Sequence, residues 1–330
     1  MGKYIVKRLL IIFPMLLGIT IITYLIMDFA PGDAATMMFM DPEMIGDPAA
    51  IEIVRAQLGL DQPIHIRYFR WLEQVLQGNF GNSYVSRQPV MEEIAVRIGP
   101  TLRLTLSALT LSIIGGISIG IFCAKRQYKP SDYVMSVVAM LGMSIPNFFF
   151  AILLILLFSL TLEWLPSMGL RTVGFTGSWH LVLWDQIQHM IMPVLALSLT
   201  HLGSWMRLQR ASYLEVMNHD YIRTARSKGL SEETITWRHA FKNSSIPIVT
   251  NLGSTIPLLI AGSFVIEHVF GFPGMGSYGV NAVLRRDYPA MMAVIFFSSI
   301  LVMVGILISD LLYAIVDPRV KYASSDTSGQ

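Results

Sequence analysis

The feature that most constrains this chain is a series of apolar runs. Each approaches or passes the roughly 20 residues that a helix needs to cross a ~30 Å hydrocarbon core. Six intervals read this way: about 9–30, 103–124, 133–160, 189–206, 248–267 and 290–315. Across 330 residues, 53% are hydrophobic and 14% charged, with a mean hydropathy of +0.56. A soluble domain carries about 25% charged residues, so one large soluble core is excluded. Lipid offers backbone groups no hydrogen-bond partners, and runs of this length must satisfy their own as helices. The expectation is an all-α polytopic membrane protein with six transmembrane helices. Pro14, Pro146, Pro193 and Pro257 fall inside the spans and predict kinks.

Lysine and arginine set the orientation. Lys3, Lys7 and Arg8 precede the first run, and Lys125, Arg126 and Lys129 crowd the short connection after the second. Arg207, Arg210, Arg223, Arg226, Lys228, Arg238 and Lys242 follow the fourth, and Arg319 and Lys321 follow the sixth. The positive-inside rule then puts both termini in the cytoplasm. The first run is longer than a secretory signal core and lacks a convincing cleavage site, so it reads as a retained span.

Three regions follow: 1–30, the N-terminus and first span; 31–102, an extracytoplasmic helical segment; and 103–330, the core transmembrane domain with a cytoplasmic loop at 207–247. In the second, 48–60 and 64–76 show apolar positions at helical spacing, and Gly78 to Asn82 breaks the pattern. Trp164, Trp179 and Trp184 make 160–190 read as interfacial loop or short helix. Gly116 and Gly120 give the second span a small-residue face for close helix packing.

Other candidate chemistry is sparse. Cys123 is the single cysteine, which excludes an internal disulfide, and it reads as a buried spacer. The seven histidines have no compact ligand spacing, so neither a metal site nor a catalytic site is expected. No basic tract suggests nucleic acid. Asp28 and Asp310 lie near span ends, where local hydrogen bonding is favoured over a proton path. The chain lacks a Gly-rich phosphate loop ending in Lys-Ser or Lys-Thr, so it binds no nucleotide by that route.

The polar stretch from Arg207 to Ser245 separates two apolar runs and has no use in lipid. It reads as helix from Ala211 to Gly229, restarts after Ser231 with Glu232 and Glu233 in a capped first turn, and ends before Pro247. Two short helices at a bend suit either a cleft on a partner protein or anionic lipid headgroups. Residues alone leave both readings open.

This stretch resembles the docking loop of inner-membrane permeases of binding-protein-dependent ABC importers. Asp220-Tyr-Ile-Arg-Thr-Ala-Arg-Ser-Lys-Gly-Leu230 and Arg238-His-Ala-Phe-Lys-Asn243 are similar to the peptide/nickel branch. Arg223 and Thr224 replace the first two positions of the general Glu-Ala-Ala pattern, while Ala225 and Gly229 keep the alanine and glycine. Ala30-Pro-Gly-Asp33, Leu58-Gly-Leu-Asp-Gln-Pro63, Gly78-Asn-Phe-Gly-Asn-Ser83, Pro100-Thr-Leu102, Ser144-Ile-Pro-Asn-Phe148, Val269-Phe-Gly-Phe-Pro-Gly-Met-Gly276, Arg286-Asp-Tyr-Pro289 and Asp317-Pro-Arg319 extend the likeness over about 1–321. The combination is similar to the first permease subunit of a dipeptide or oligopeptide importer.

The resemblance implies a bacterial or archaeal cell-membrane protein with a second homologous permease, two ABC ATPase subunits and an extracytoplasmic substrate-binding protein. ATP and Mg would sit on the ATPases and no cofactor on this chain. Candidate coupling residues are Asp220, Tyr221, Arg223, Thr224, Ala225, Arg226, Lys228, Gly229, Leu230, Glu232, Glu233, Arg238 and His239. Gly271, Pro273, Gly274, Gly276, Arg286, Asp287 and Tyr288 are candidates for an external turn beside the binding protein. Peptide is the favoured cargo, with nickel chelates and oligosaccharides as alternatives in the same branch. An ion-coupled secondary transporter and a membrane scaffold are the alternatives of other classes.

Overall fold

The computed structural model describes residues 2–29, 35–36 and 48–316. The Ala30–Asp33 and Asp317–Arg319 motifs and the Lys321 cation lie outside the described residues. Among those described, the chain is helical, and its extended pairing is confined to an isolated bridge between Asn82 and Pro89. The principal helices are α1 (Gly2–Phe29), α2 (Pro48–Gln57), α3 (Ile64–Leu76), α4 (Val90–Lys125), α5 (Pro130–Ser144), α6 (Asn147–Leu154), α7 (Trp179–Met217), α8 (Asp220–Ser227), α9 (Ile246–Val269), α10 (Met275–Leu284) and α11 (Tyr288–Val316).

Among the described residues, four helices are long and apolar enough to cross a membrane: α1 over Leu10–Phe29, α4, α9, and α11 over Tyr288–Tyr313. The expected third span is broken. A 105° bend separates α5 from α6 and its π-helical continuation Ile155–Thr161, so the pair makes a fifth crossing only if counted as one span. Pro146 lacks an N–H and disfavours helical geometry in the residue before it, and Ile145 is extended at φ −83° and ψ 126°. The expected fourth span lies on the 39-residue α7, which is not among the four apolar helices. Arg207 and Arg210 continue this helix instead of ending it.

Packing divides the chain into two units, one of 1–102 with 271–303 and the other of 103–270 with 304–330. In the first, Tyr68 of α3 meets Tyr24 of α1 edge-on at 5.5 Å, and its hydroxyl lies 3.0 Å from that of Thr20. Arg67 pairs with Asp28, which gives that span-end carboxylate its local partner. Phe80 packs on Phe296 and Phe297 at 5.4 and 5.1 Å.

In the second unit α7 is the common partner of α5, α6 and α9. The glycine face of α4 also packs on it: a Cβ at Gly116 would lie 2.4 Å from Trp205 Cβ, and one at Gly120 2.7 Å from the Met206 carbonyl. Asp132, at the start of α5, accepts from Arg210 Nε at 2.8 Å and Nη2 at 2.7 Å. A buried carboxylate needs such a partner.

Candidate functional site

Within the second unit, the polar stretch folds into two short helical pieces held against α4 and α7 by an apolar underside. Helix α7 stops at Met217 and Asn218 caps it. His219 turns the chain at φ −72° and ψ 149°, and α8 begins with an acidic residue in its first turn. The sequence reading carried one helix through this point to Gly229, so the break at 218–219 is new. Ile222 and Ala225, three residues apart, are buried among Ile121, Ala124, Tyr213, Val216, Ile235 and Ala240. The other positions of α8 are exposed.

Gly229 ends α8. Its N–H bonds the Arg226 carbonyl at 2.9 Å and the Leu230 N–H bonds the Ala225 carbonyl at 3.3 Å, with Gly229 at φ +74°. This is the Schellman arrangement, and a left-handed residue at that position is glycine's ordinary use. Ser231 then caps the next turn, its Oγ accepting from the Thr234 N–H at 3.3 Å, as its sequence position predicts. Glu232–Thr234, the π-helical Ile235–Ala240 and Phe241–Ser244 run on to α9, with Pro247 in its first turn.

Polar clamps close the two pieces. Arg226 donates to Glu232 from Nε at 2.8 Å and Nη2 at 3.3 Å. The guanidinium fork holds the Glu232 carboxyl below its usual range, and the carboxylate raises Arg226. Tyr213 and Thr236 hydroxyls meet at 3.1 Å, and Asn243 donates to the Tyr221 hydroxyl at 3.1 Å. Asp220 and Arg223 approach to 3.5 Å on the surface.

The candidate coupling residues therefore have different placements. Asp220, Tyr221, Arg223, Thr224, Arg226, Lys228, Gly229, Leu230, Glu232, Glu233 and Arg238 are exposed, His239 is half-buried and Ala225 is buried. Arg226 and Glu232 engage each other, while Thr224 bonds the Asp220 carbonyl of its own helix at 2.9 Å. Trp237 was not singled out from sequence, yet it is 54% exposed beside Phe241. A tryptophan inside a charged segment was the available signal.

In the first unit, Gly271 is exposed at φ +53°, Pro273 is exposed, and Gly274 and Gly276 are buried at the start of α10. Asp287 is buried and accepts from Ser83 Oγ at 2.5 Å and the Tyr84 N–H at 3.0 Å. It also reaches the Ala290 N–H at 3.4 Å, at the head of α11. Arg286 and Tyr288 flank it half-buried.

Long apolar helices, a broken hydrophobic pair and a polar excursion pinned by its own apolar side define a multi-pass helical membrane protein. Its fold is similar to that of a chain in the solved inward-facing MetNI methionine ABC transporter, with a TM-score of 0.55, 16% identity, and coverage of 69% of this chain and 97% of that one. Residues 116–322 match the model of the binding-protein-dependent transport system inner membrane component, and residues 1–105 match that of its N-terminal region. The chain belongs to this family of transport-system permeases. It is 40% identical to the oligopeptide transport system permease protein AppB of Bacillus subtilis, over 98% of this chain and 100% of the relative. It is 39% identical to the glutathione transport system permease protein GsiC of Salmonella paratyphi A, with the same coverage.

Proposed function

We propose that this chain is the membrane permease subunit of an ATP-driven, binding-protein-dependent peptide importer in a bacterial or archaeal cell membrane. In this reading α5 with α6 forms one crossing and α7 another, giving six spans with both termini in the cytoplasm. A second homologous permease completes the pathway, two ABC ATPases bind ATP and Mg, and an extracytoplasmic protein delivers the peptide. The chain itself catalyses no bond chemistry.

The observation that carries the reading is the construction of 218–245. An apolar underside fixes this knob to α4 and α7, leaving Arg223, Lys228, Trp237 and Arg238 on its exposed side. A soluble partner that pushes on the knob thereby pushes on α4 and α7. ATPase closure and reopening would move these helices between inward- and outward-facing arrangements, each favoured by different contacts. Full-length likeness to oligopeptide and glutathione permeases supports peptide as cargo.

Affinity purification from native membranes in mild detergent, with mass spectrometry of proteins and bound small molecules, tests the assembly. The expected result is a second permease, ATPase subunits and a peptide-loaded binding protein. Recovery of this chain alone from a transport-competent preparation would overturn the reading.

A further inference from the structure

A cavity of about 210 Å³ opens within the first unit. Helix α3 lines it with Arg70 and Gln74, α1 with Tyr24, α11 with Tyr288, and the segment after α3 with Phe80 and Tyr84. Arg67 and Trp71 line it as well, but neither brings a free donor into it. The Trp71 indole nitrogen and Arg67 Nε are sealed from solvent, and the Arg67 guanidinium is committed to Asp28.

Four other side chains have accessible, unengaged donors. Among the described residues, no hydrogen bond or ion pair occupies the polar groups of Arg70, Gln74, Tyr24 or Tyr84. Arg70 and Gln74 are exposed, and the hydroxyls of the half-buried Tyr24 and Tyr84 are open to solvent, unlike the Trp71 nitrogen. Burial pushes the Tyr84 phenol up to about 12, so it keeps its proton and donates. No carboxylate lines the cavity, and with Arg67 answered by Asp28 the charge of Arg70 is left over. A guanidinium, an amide and two hydroxyls around one space suit a carboxylate, which is an acceptor only and is matched by the planar fork of arginine.

We propose that this cavity seats an acidic side chain of the extracytoplasmic binding protein, with Arg70 supplying the charge and Gln74, Tyr24 and Tyr84 the neutral donors. The assignment rests on the peptide-importer reading, which places α3 outside the membrane. The volume lies below the roughly 300–1,000 Å³ of small-molecule sites and fits one inserted side chain better than a free ligand. Tyrosine, tryptophan and arginine dominate the lining, and these residue types carry most of the binding energy at protein interfaces. Tyr288, expected from sequence to lie beside the binding protein, is among them.

The test is the affinity of the copurifying binding protein for the complete importer in nanodiscs. Arg70→Glu is expected to weaken it about tenfold and Tyr84→Phe about threefold, as loss of a charge-assisted and a neutral hydrogen bond would. Arg70→Lys keeps the charge and retains part of the affinity. ATP hydrolysis without binding protein stays at the wild-type rate in each variant, which shows that the complex has assembled. Surface carboxylates of the binding protein are then changed to lysine one at a time. One such change should restore binding to Arg70→Glu while weakening binding to wild type, a rescue that a purely structural role for Arg70 cannot give. Should Arg70→Glu fail to assemble, Arg70→Gln and Tyr84→Phe carry the affinity comparison. Unchanged affinity in assembled variants overturns the pocket and leaves the importer reading standing. A wild-type complex that binds no extracytoplasmic protein removes both. Weakening that no charge reversal rescues overturns the acidic partner, and its confinement to phosphatidylglycerol discs, with none in pure phosphatidylcholine, would assign Arg70 to a lipid headgroup.

Discussion

Gly116→Ala tests the close approach of α4 to α7. The added Cβ would meet Trp205 Cβ at 2.4 Å, the Leu202 carbonyl at 3.0 Å and the Met206 nitrogen at 3.1 Å. Carbon atoms rest at about 3.5–4.0 Å, so the helices must separate locally by roughly 1 Å. Overpacking of this kind costs about 1–3 kcal/mol. Because the obstacle is backbone and Cβ, with no flexible side-chain end to move aside, the upper part of that range applies. Alanine's helix preference returns about 1 kcal/mol, leaving a net loss of about 1–2 kcal/mol. Gly120→Ala meets the same helix at 2.7 Å, and a single displacement would relieve both, so the double variant should lose less than the sum. Gly18 has nothing within 4 Å of its Cβ position, and Gly18→Ala should be neutral or stabilising. Unfolding midpoints in mixed detergent and dodecyl sulfate give the ranking. If Gly116→Ala is as stable as wild type, the reasoning about this contact is wrong.

Arg210→Met should destabilise by roughly 3 kcal/mol or more, because it strands the buried Asp132 charge; the Arg210→Met, Asp132→Asn pair should recover much of that loss in the same assay. Asp287→Ala should cost about 2–4 kcal/mol by removing a helix cap and the acceptor for Ser83 and Tyr84, with increased proteolysis around 83–90 as a second readout. Glu232 is held below its ordinary value, so the fork's contribution is present above that value and lost as pH falls through the depressed one. The difference in midpoint between wild type and Glu232→Gln, small because the pair is exposed, should shrink as pH drops below the usual carboxylate range.

Local signals carried much of the fold. Apolar length marked α1, α4, α9 and α11, helical spacing marked α3, and Ser231 marked a helix start. What stayed hidden depends on contacts distant in sequence. Asp132 and Arg210 are 78 residues apart, and the pairing that satisfies the buried Asp132 carboxylate is legible from neither position alone. Asp287 has the sequence context of a turn residue, but its partner Ser83 lies 204 residues away. Pro146 predicted a kink, whereas the 105° break also depends on the extended Ile145. In the knob the exposed cations and the helix end at Gly229 were legible, but the break at 218–219 and the pairing of Arg226 with Glu232 required the fold.

The most direct test of the central claim is peptide uptake by the purified multisubunit complex in sealed liposomes, with energy sources supplied one at a time. The account predicts import only when ATP is on the ATPase side and loaded binding protein on the other, with loss of import when Arg223→Glu and Trp237→Ala are combined on the knob. Import driven by a proton or sodium gradient without ATP, unaffected by those substitutions, would contradict it.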